Sequence, residues 1–209
     1  MPDGYFDLLC SQNGQTFKFY LIGLSTKPAE YLVQAHTKTF AISFKLPAAE
    51  YIFKKSIVPL LNKKNQLPQN FWGISKLCLD SFDRFTGDLS DKISDAKDEE
   101  IDKRKEKLFK IIYSNNGMIN IADTAEAVYW SRRQINRYFQ HWFGISMKEY
   151  CQILRYRSTF NQINEGELYP QSKYADQSHF IREVKKYSST TPKRLFRNKN
   201  GRFIQLSTL

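Results

Sequence analysis

Short runs of aromatic and aliphatic residues alternate with turn residues along the first quarter of the chain. The dipeptide Asn13-Gly14 lies between two of these runs and is a strong signal for a tight β-hairpin turn. Pro47 ends the last run because proline cannot donate to a strand ladder, and a short helix is predicted from Ala48 to Lys54. The predicted strands are Tyr5–Cys10, Thr16–Leu24, Tyr31–Val33 and Thr39–Leu46.

The apolar positions change to helical spacing further along the chain. Residues 56–68 form a polar Lys/Asn loop, and an apolar stripe then predicts an amphipathic helix from Phe71 to Phe85. Residues 87–96 are polar and contain few large apolar side chains, which favours a domain boundary. We therefore predict a β-rich domain over 1–87, a linker over 88–97 and a helical domain over 98–209.

A charged helix, predicted from Asp98 to Asn116, begins the helical domain. Asn120 is a suitable cap for a short helix from Ile121 to Val128, because its side chain can accept from free backbone N–H groups. That helix meets the next one across Tyr129-Trp130. A helix, a tight turn and a second helix make a helix-turn-helix pattern.

The next predicted helix has one apolar face and one polar face. Ser131 is a good N-cap, and Gly144 can take the positive φ that ends a helix. A polar face of this kind offers bidentate donors for guanine and adenine edges, flanked by positive charge for phosphate. The apolar face carries Ile135, Tyr138, Phe139 and Phe143, and the polar face carries Arg132, Arg133, Asn136 and Arg137.

A second copy of this pattern lies 45 positions further along, with Asp176 in the place of the cap Ser131. Two similar supersecondary units are therefore predicted. A capping box that begins at Ser146 opens a long helix to about Asn164, which would join them. The same offset relates Phe180 to Ile135, Arg182 to Arg137, Val184 to Phe139, Thr191 to Ser146 and Lys193 to Lys148.

Charge is distributed unevenly between the two predicted domains. The net charge of the chain is +11. Residues 1–130 carry 17 basic and 16 acidic side chains, whereas residues 131–209 carry 15 basic and 5 acidic side chains. A basic half that follows a nearly neutral half indicates a polyanion-binding module joined to a second module. Apolar residues at 41% and aromatic residues at 15% suffice for packed cores, which argues against wholesale disorder.

The three cysteines, Cys10, Cys78 and Cys151, lie far apart and have no paired spacing. With only three histidines in the chain, this argues against a disulfide framework or a Cys/His zinc site, and we expect reduced core thiols. The first residues lack the basic and long apolar regions of a signal peptide, and no apolar run approaches membrane-spanning length. A cytoplasmic, nucleoid-associated protein without a cofactor is the expectation.

From about Asp98 to Phe196, the sequence resembles the DNA-binding domain of the AraC/XylS family of bacterial transcription regulators. The matching features are Ala125, Ser131, Ile135, Phe139, Gly144, Tyr150 and Arg155, followed by Asp176 to Phe180, Arg182 and Thr191-Pro192. The resemblance implies an α+β protein in which two helix-turn-helix units, joined by a long helix, insert into successive major grooves of DNA. The predicted DNA-binding residues are Ser131, Arg132, Arg133, Asn136, Arg137, Gln177, Ser178, His179 and Arg182.

Residues 2–9 and 41–49 are similar to a β-rich domain that precedes this module in many bacterial regulators. In those regulators further strands precede the Pro-Asp-Gly turn, so we expect the N-terminus here to be either truncated or misplaced in its start. Its expected role is to sense a small-molecule effector or to form a homodimer, and the sequence favours neither. RNA polymerase is a further candidate partner, with either activation or repression as the outcome.

The second unit departs from the pattern of the family. Ser189 stands where glycine is usual and Val184 where phenylalanine is usual, while Pro170 interrupts the segment that should support the second recognition helix. We therefore expect the second helix to be held less firmly than the first.

Two other classes of protein are alternatives to a transcription regulator. Some DNA-repair methyltransferases carry such a module, but they need an activated cysteine beside proline and histidine, and none of the three cysteines has that setting. Glycine-rich phosphate loops are also absent from the sequence, so we do not expect an enzyme. The alternative function is a protein-interaction module with a degenerate DNA-binding face, which loss of duplex binding in Arg133→Ala plus Arg137→Ala would exclude.

Overall fold

The computed structural model describes residues 1–30, 34–69, 71–72, 81–96, 100–170 and 174–198. An antiparallel sheet is followed by a helical region, which confirms the predicted α+β class. The strands are β1 (Phe6–Asn13), β2 (Thr16–Ile22), β3 (Thr37–Phe44) and β4 (Lys64–Leu67), in the spatial order β3-β1-β2-β4. The predicted hairpin is present, with Asn13 paired to Thr16.

Strand β4 was predicted as part of a loop, which was wrong. Three of its four residues are polar and exposed, and only Leu67 is apolar, so the strand lacks the apolar alternation from which strands are recognised. The strand forms because its backbone pairs with β2 at the edge of the sheet, where polar side chains protect against further pairing. The predicted strand Tyr31–Val33 lies outside the described residues.

The helices of the described part are α1 (Pro47–Tyr51), α2 (Phe82–Ala96), α3 (Lys103–Ser114), α4 (Ile121–Ala127), α5 (Arg132–Phe143), α6 (Met147–Arg157), α7 (Phe160–Asn164), α8 (Gln177–Ser188) and α9 (Pro192–Arg197), with a 3₁₀ turn at Val58–Leu60. Helix α3 begins later than predicted, because Asp102 caps it by accepting from the backbone N–H of Arg104 at 2.8 Å.

Helix α2 occupies most of the predicted linker, so residues 88–96 are helical. Phe85 and Leu89, four residues apart, are both buried, and the Phe85 ring lies 4.8 Å from that of Phe40 on the sheet. Because only these two buried residues anchor the segment, its polar composition did not predict a helix. Of the predicted helix Phe71–Phe85, only the last residues are seen in α2, and residues 73–80 lie outside the described part. A domain boundary at this point stays a prediction.

The predicted long helix is divided into α6 and α7 by Ser158 and Thr159. The Ser158 hydroxyl donates to the Arg155 carbonyl at 2.7 Å, and the Thr159 hydroxyl donates to the Tyr156 carbonyl at 2.7 Å. Hydroxyls that bond to nearby carbonyls offer the backbone an alternative to the helical ladder, which accounts for the break.

The sheet packs directly against the helices, and their buried side chains form one continuous hydrophobic core. The fully buried Tyr150 hydroxyl lies 3.0 Å from the Gly4 carbonyl and 3.0 Å from the Tyr113 hydroxyl. Tyr113 in turn accepts from the backbone N–H of Leu46 at 3.2 Å. Among the helices described here, none is long and apolar enough to cross a membrane.

One carboxyl group of the sheet makes stability depend on pH. Burial raises the pKa of Asp7 from 3.8 to about 6, although the Ser43 hydroxyl donates to it at 2.7 Å and favours the carboxylate. Above pH 6 the folded chain must hold this charge partly out of water, so Asp7→Asn is expected to raise the free energy of unfolding by about 1–3 kcal/mol at pH 8. The gain should shrink as the pH falls through 6 and vanish below about 4, where both states bind the proton.

Urea titrations of the wild type and Asp7→Asn between pH 4 and pH 8 would measure this difference. The exposed Asp88 of α2 supplies a matched control, because Asp88→Asn removes the same charge from a solvated position. A stabilisation that grows as the pH falls would contradict the assignment.

Candidate nucleic-acid interface

The first helix-turn-helix unit is formed by α4 and α5, and the predicted caps are present. Ser131 accepts from the backbone N–H of Gln134 at 3.2 Å, while the Gln134 side chain accepts from the Ser131 N–H at 2.8 Å. This reciprocal capping box fixes the first turn of α5. The Ser131 hydroxyl, a predicted DNA contact, therefore already has a structural role. Gly144 ends the helix with a φ of 76°, as predicted.

Helix α5 separates its side chains as the sequence pattern predicts. Ile135, Phe139 and Phe143 are buried in the core. The opposite face is exposed and carries Arg132, Arg133, Asn136, Arg137 and Gln140. Side chains of this kind can donate paired hydrogen bonds to base edges or reach phosphates.

The N-terminal part of the chain holds the back of α5. The Tyr138 hydroxyl donates to Oε2 of Glu50 in α1 at 2.8 Å, and Oε1 of the same carboxylate accepts from the ammonium group of Lys105 in α3 at 2.5 Å. Burial first, and then the charge of Glu50, raises the pKa of Tyr138 well above its usual value, so the hydroxyl keeps its proton and donates. Glu50 thus links α1, α3 and α5.

A second contact holds the C-terminal end of α5. The backbone N–H of Ile57 donates to the Trp142 carbonyl at 3.0 Å, and the Ser56 hydroxyl donates to the His141 carbonyl at 2.9 Å. These bonds occupy carbonyls that a helix end otherwise leaves without partners. Sequence analysis missed these residues, because a contact between positions 56 and 142 leaves no local signal.

The second unit repeats the capping of the first. The Asp176 carboxylate accepts from the backbone N–H of His179 at 2.7 Å, and Thr191 accepts from that of Arg194 at 3.3 Å. Ser189 ends α8 with a φ of 58°, at the position that matches Gly144. A left-handed conformation strains a non-glycine residue, so this end of α8 is less favourable than that of α5.

The predicted contact residues of α8 differ in their availability. Ser178 and Arg182 are exposed. Gln177 is half-buried and donates to the Leu168 carbonyl at 3.0 Å, so its amide supports the preceding segment. The His179 ring is half-buried, stands edge-on to Tyr174 at 5.5 Å and lies 3.4 Å from the Ala175 N–H. Ser178 and Arg182 are therefore the stronger candidates for DNA contact in this unit.

An ion pair connects α6, which follows the first unit, to α8 of the second unit. Nε of Arg155 in α6 lies 3.7 Å from a carboxylate oxygen of Glu183 in α8, and Glu183 is only 7% exposed. The Arg155 guanidinium also lies 5.7 Å from the centre of the Tyr174 ring. Arg155 was noted in the sequence only as part of a family resemblance, whereas the structure gives it a partner that relates α6 to α8.

The described residues give little support for a catalytic cysteine or a metal site. Cys10 and Cys151 are free and buried, and burial raises the pKa of both thiols to about 12, which makes them poor nucleophiles near neutral pH. Cys78 lies outside the described part. The described side chains form no cluster of three or more potential metal ligands.

The solved structures that match this chain include one that covers most of its length. It is the crystal structure of wild-type ToxT from Vibrio cholerae strain SCE256 with bound unsaturated fatty acid, which shares 13% identity and a TM-score of 0.48, covering 96% of this chain and 89% of that chain. No protein-family model matches the sequence, and no curated protein matches it.

Proposed function

We propose that the protein is a sequence-specific regulator of transcription that binds double-stranded DNA. The observation that carries this proposal is helix α5, whose exposed face presents Arg132, Arg133, Asn136 and Arg137 while its other sides are fixed by the core and by the N-terminal part. A fixed helix with paired donors on one exposed face fits the major groove of DNA. The resemblance to AraC/XylS regulators in the same stretch supports the proposal.

The two units would act together on one duplex. Helix α8 repeats the capping of α5 and presents Ser178 and Arg182, and both of these helices lie in the basic half of the chain, residues 131–209. Each helix would enter a major groove on the same face of the DNA, with the two contacts about one helical turn apart. The N-terminal part would carry regulation, through a small-molecule effector or self-association, since its contacts reach α5 directly.

Hydroxyl-radical footprinting on a bound duplex tests this arrangement. The proposal predicts two protected stretches about 10 base pairs apart on one face. Arg182→Ala should remove protection from one stretch only, and Arg137→Ala from the other. Protection that does not depend on either arginine would contradict the proposed roles of α5 and α8.

A further inference from the structure

An open groove of about 450 Å³ runs along the flank of α5 next to the start of α3. Arg104, Gln134 and Arg137 are among the residues that line it, and no acidic side chain of the described part lines it. Arg137 belongs both to this groove and to the exposed face proposed to contact bases. The groove is therefore continuous with the proposed DNA-binding surface.

The guanidinium of Arg104 is held in place from two sides. Its Nε donates to Asp102 at 3.2 Å and one Nη donates to the same carboxylate at 2.8 Å. It also lies 5.4 Å from the centre of the ring of Trp130, the residue directly before the cap of α5. Asp102 is itself held as the cap of α3. An arginine ordered in this way loses little conformational freedom when it binds a ligand.

The same guanidinium keeps capacity for a further partner. Arginine has five N–H donors, and the Asp102 carboxylate takes two of them, which leaves three. The side chain is 52% exposed, so these donors can be reached. A planar guanidinium matches the geometry of a phosphate group and often binds it through two hydrogen bonds.

The position of Arg104 next to α5 indicates which phosphate its guanidinium would bind. When a recognition helix enters the major groove, the phosphates of the groove wall pass along its flanks, and contacts to them fix the position of the protein without reading sequence. Gln134 and Arg137 mark the flank of α5 that faces this groove.

We infer that Arg104, supported by Asp102 and Trp130, binds a DNA backbone phosphate beside the first recognition helix. This site lies outside the helix-turn-helix units and rests on the proposed function. It extends the DNA contact surface to α3, the helix that Glu50 joins to the N-terminal part through Lys105. A phosphodiester bound there would also help to orient α5 in the major groove.

Phosphate-ethylation interference combined with a salt titration tests the inference on the full chain. In the wild type, ethylation of one phosphate at the edge of the first half-site should weaken binding. In Arg104→Ala that particular interference should disappear, and the slope of log K against log salt should fall by about 1. Arg104→Lys should retain the slope, because it keeps the charge, but bind less tightly because the planar fork is lost.

Lys110→Ala is the matched control, since Lys110 is an exposed cation on the same helix and does not line the groove. It should leave the interference pattern unchanged. If wild-type and Arg104→Ala chains bind the same duplex with the same interference pattern and slope, the inference is overturned while the proposed function stands. If the wild type binds no duplex sequence preferentially, the proposed function itself fails.

Discussion

Replacing both Arg133 and Arg137 by alanine is expected to remove the preference of the protein for its binding site over unrelated duplexes. Both side chains are exposed on α5, four residues apart, so they present their donors in one direction. Each arginine is expected to contribute about 1–3 kcal/mol to the free energy of DNA binding if it contacts a base. Because the two positions are neighbours, the combined loss need not be the sum of the single losses.

Fluorescence anisotropy with the binding site and a scrambled duplex would measure this loss. Lys193→Ala is the matched control, because Lys193 is exposed on α9 and is expected to contact phosphate only. It should weaken binding to both duplexes alike and lower the salt slope by about 1. A double variant that still prefers the binding site, with unchanged thermal unfolding, would contradict the role proposed for α5.

The second large effect is expected at Glu50. Glu50→Ala leaves the Lys105 ammonium, whose side chain is 17% exposed, and the Tyr138 hydroxyl without their common partner. Breaking a buried pair on one side typically costs about 3–5 kcal/mol, and the partial exposure here places the expected loss near the lower end. The free energy of unfolding from urea titration would report it.

Tyr138→Phe distinguishes the Glu50–Tyr138 hydrogen bond from the Glu50–Lys105 ion pair, because it removes only the hydroxyl. We expect Tyr138→Phe to lower the free energy of unfolding by about 1–3 kcal/mol in the wild type. In the Glu50→Ala background it should have almost no effect, because the hydrogen bond is then already absent. Glu126→Ala, on the exposed side of α4, controls for the loss of a negative charge. Equal effects of Tyr138→Phe in both backgrounds would contradict a coupling between Glu50 and α5.

The features predicted correctly from the sequence are those with a local cause. The cap Ser131 lies next to the helix that it begins, and Gly144 lies directly after that helix. Asp176 and Thr191 repeat the same local chemistry 45 residues after Ser131 and Ser146. The buried and exposed faces of α5 also follow from spacing alone, so the candidate DNA-binding surface could be found before the fold was known.

The features that were missed depend on partners far away in the chain. Strand β4 is polar except for Leu67, and it forms because β2 offers a backbone edge. Helix α2 has a polar sequence that two buried residues anchor against the sheet. Glu50 looks like an ordinary surface residue in the sequence, yet it bonds to Tyr138 across 88 positions. Contacts of this kind attach the N-terminal part to α5.

The central claim is that this chain recognises a specific DNA sequence through two helices. Selection from a random duplex library with the purified full chain, followed by a salt titration on the enriched sequence, tests it most directly. We predict a motif of two half-sites about one helical turn apart, bound far more tightly than the starting pool. Absence of any enriched motif, with only steeply salt-dependent binding to every duplex, would contradict the claim and favour a protein partner for this surface.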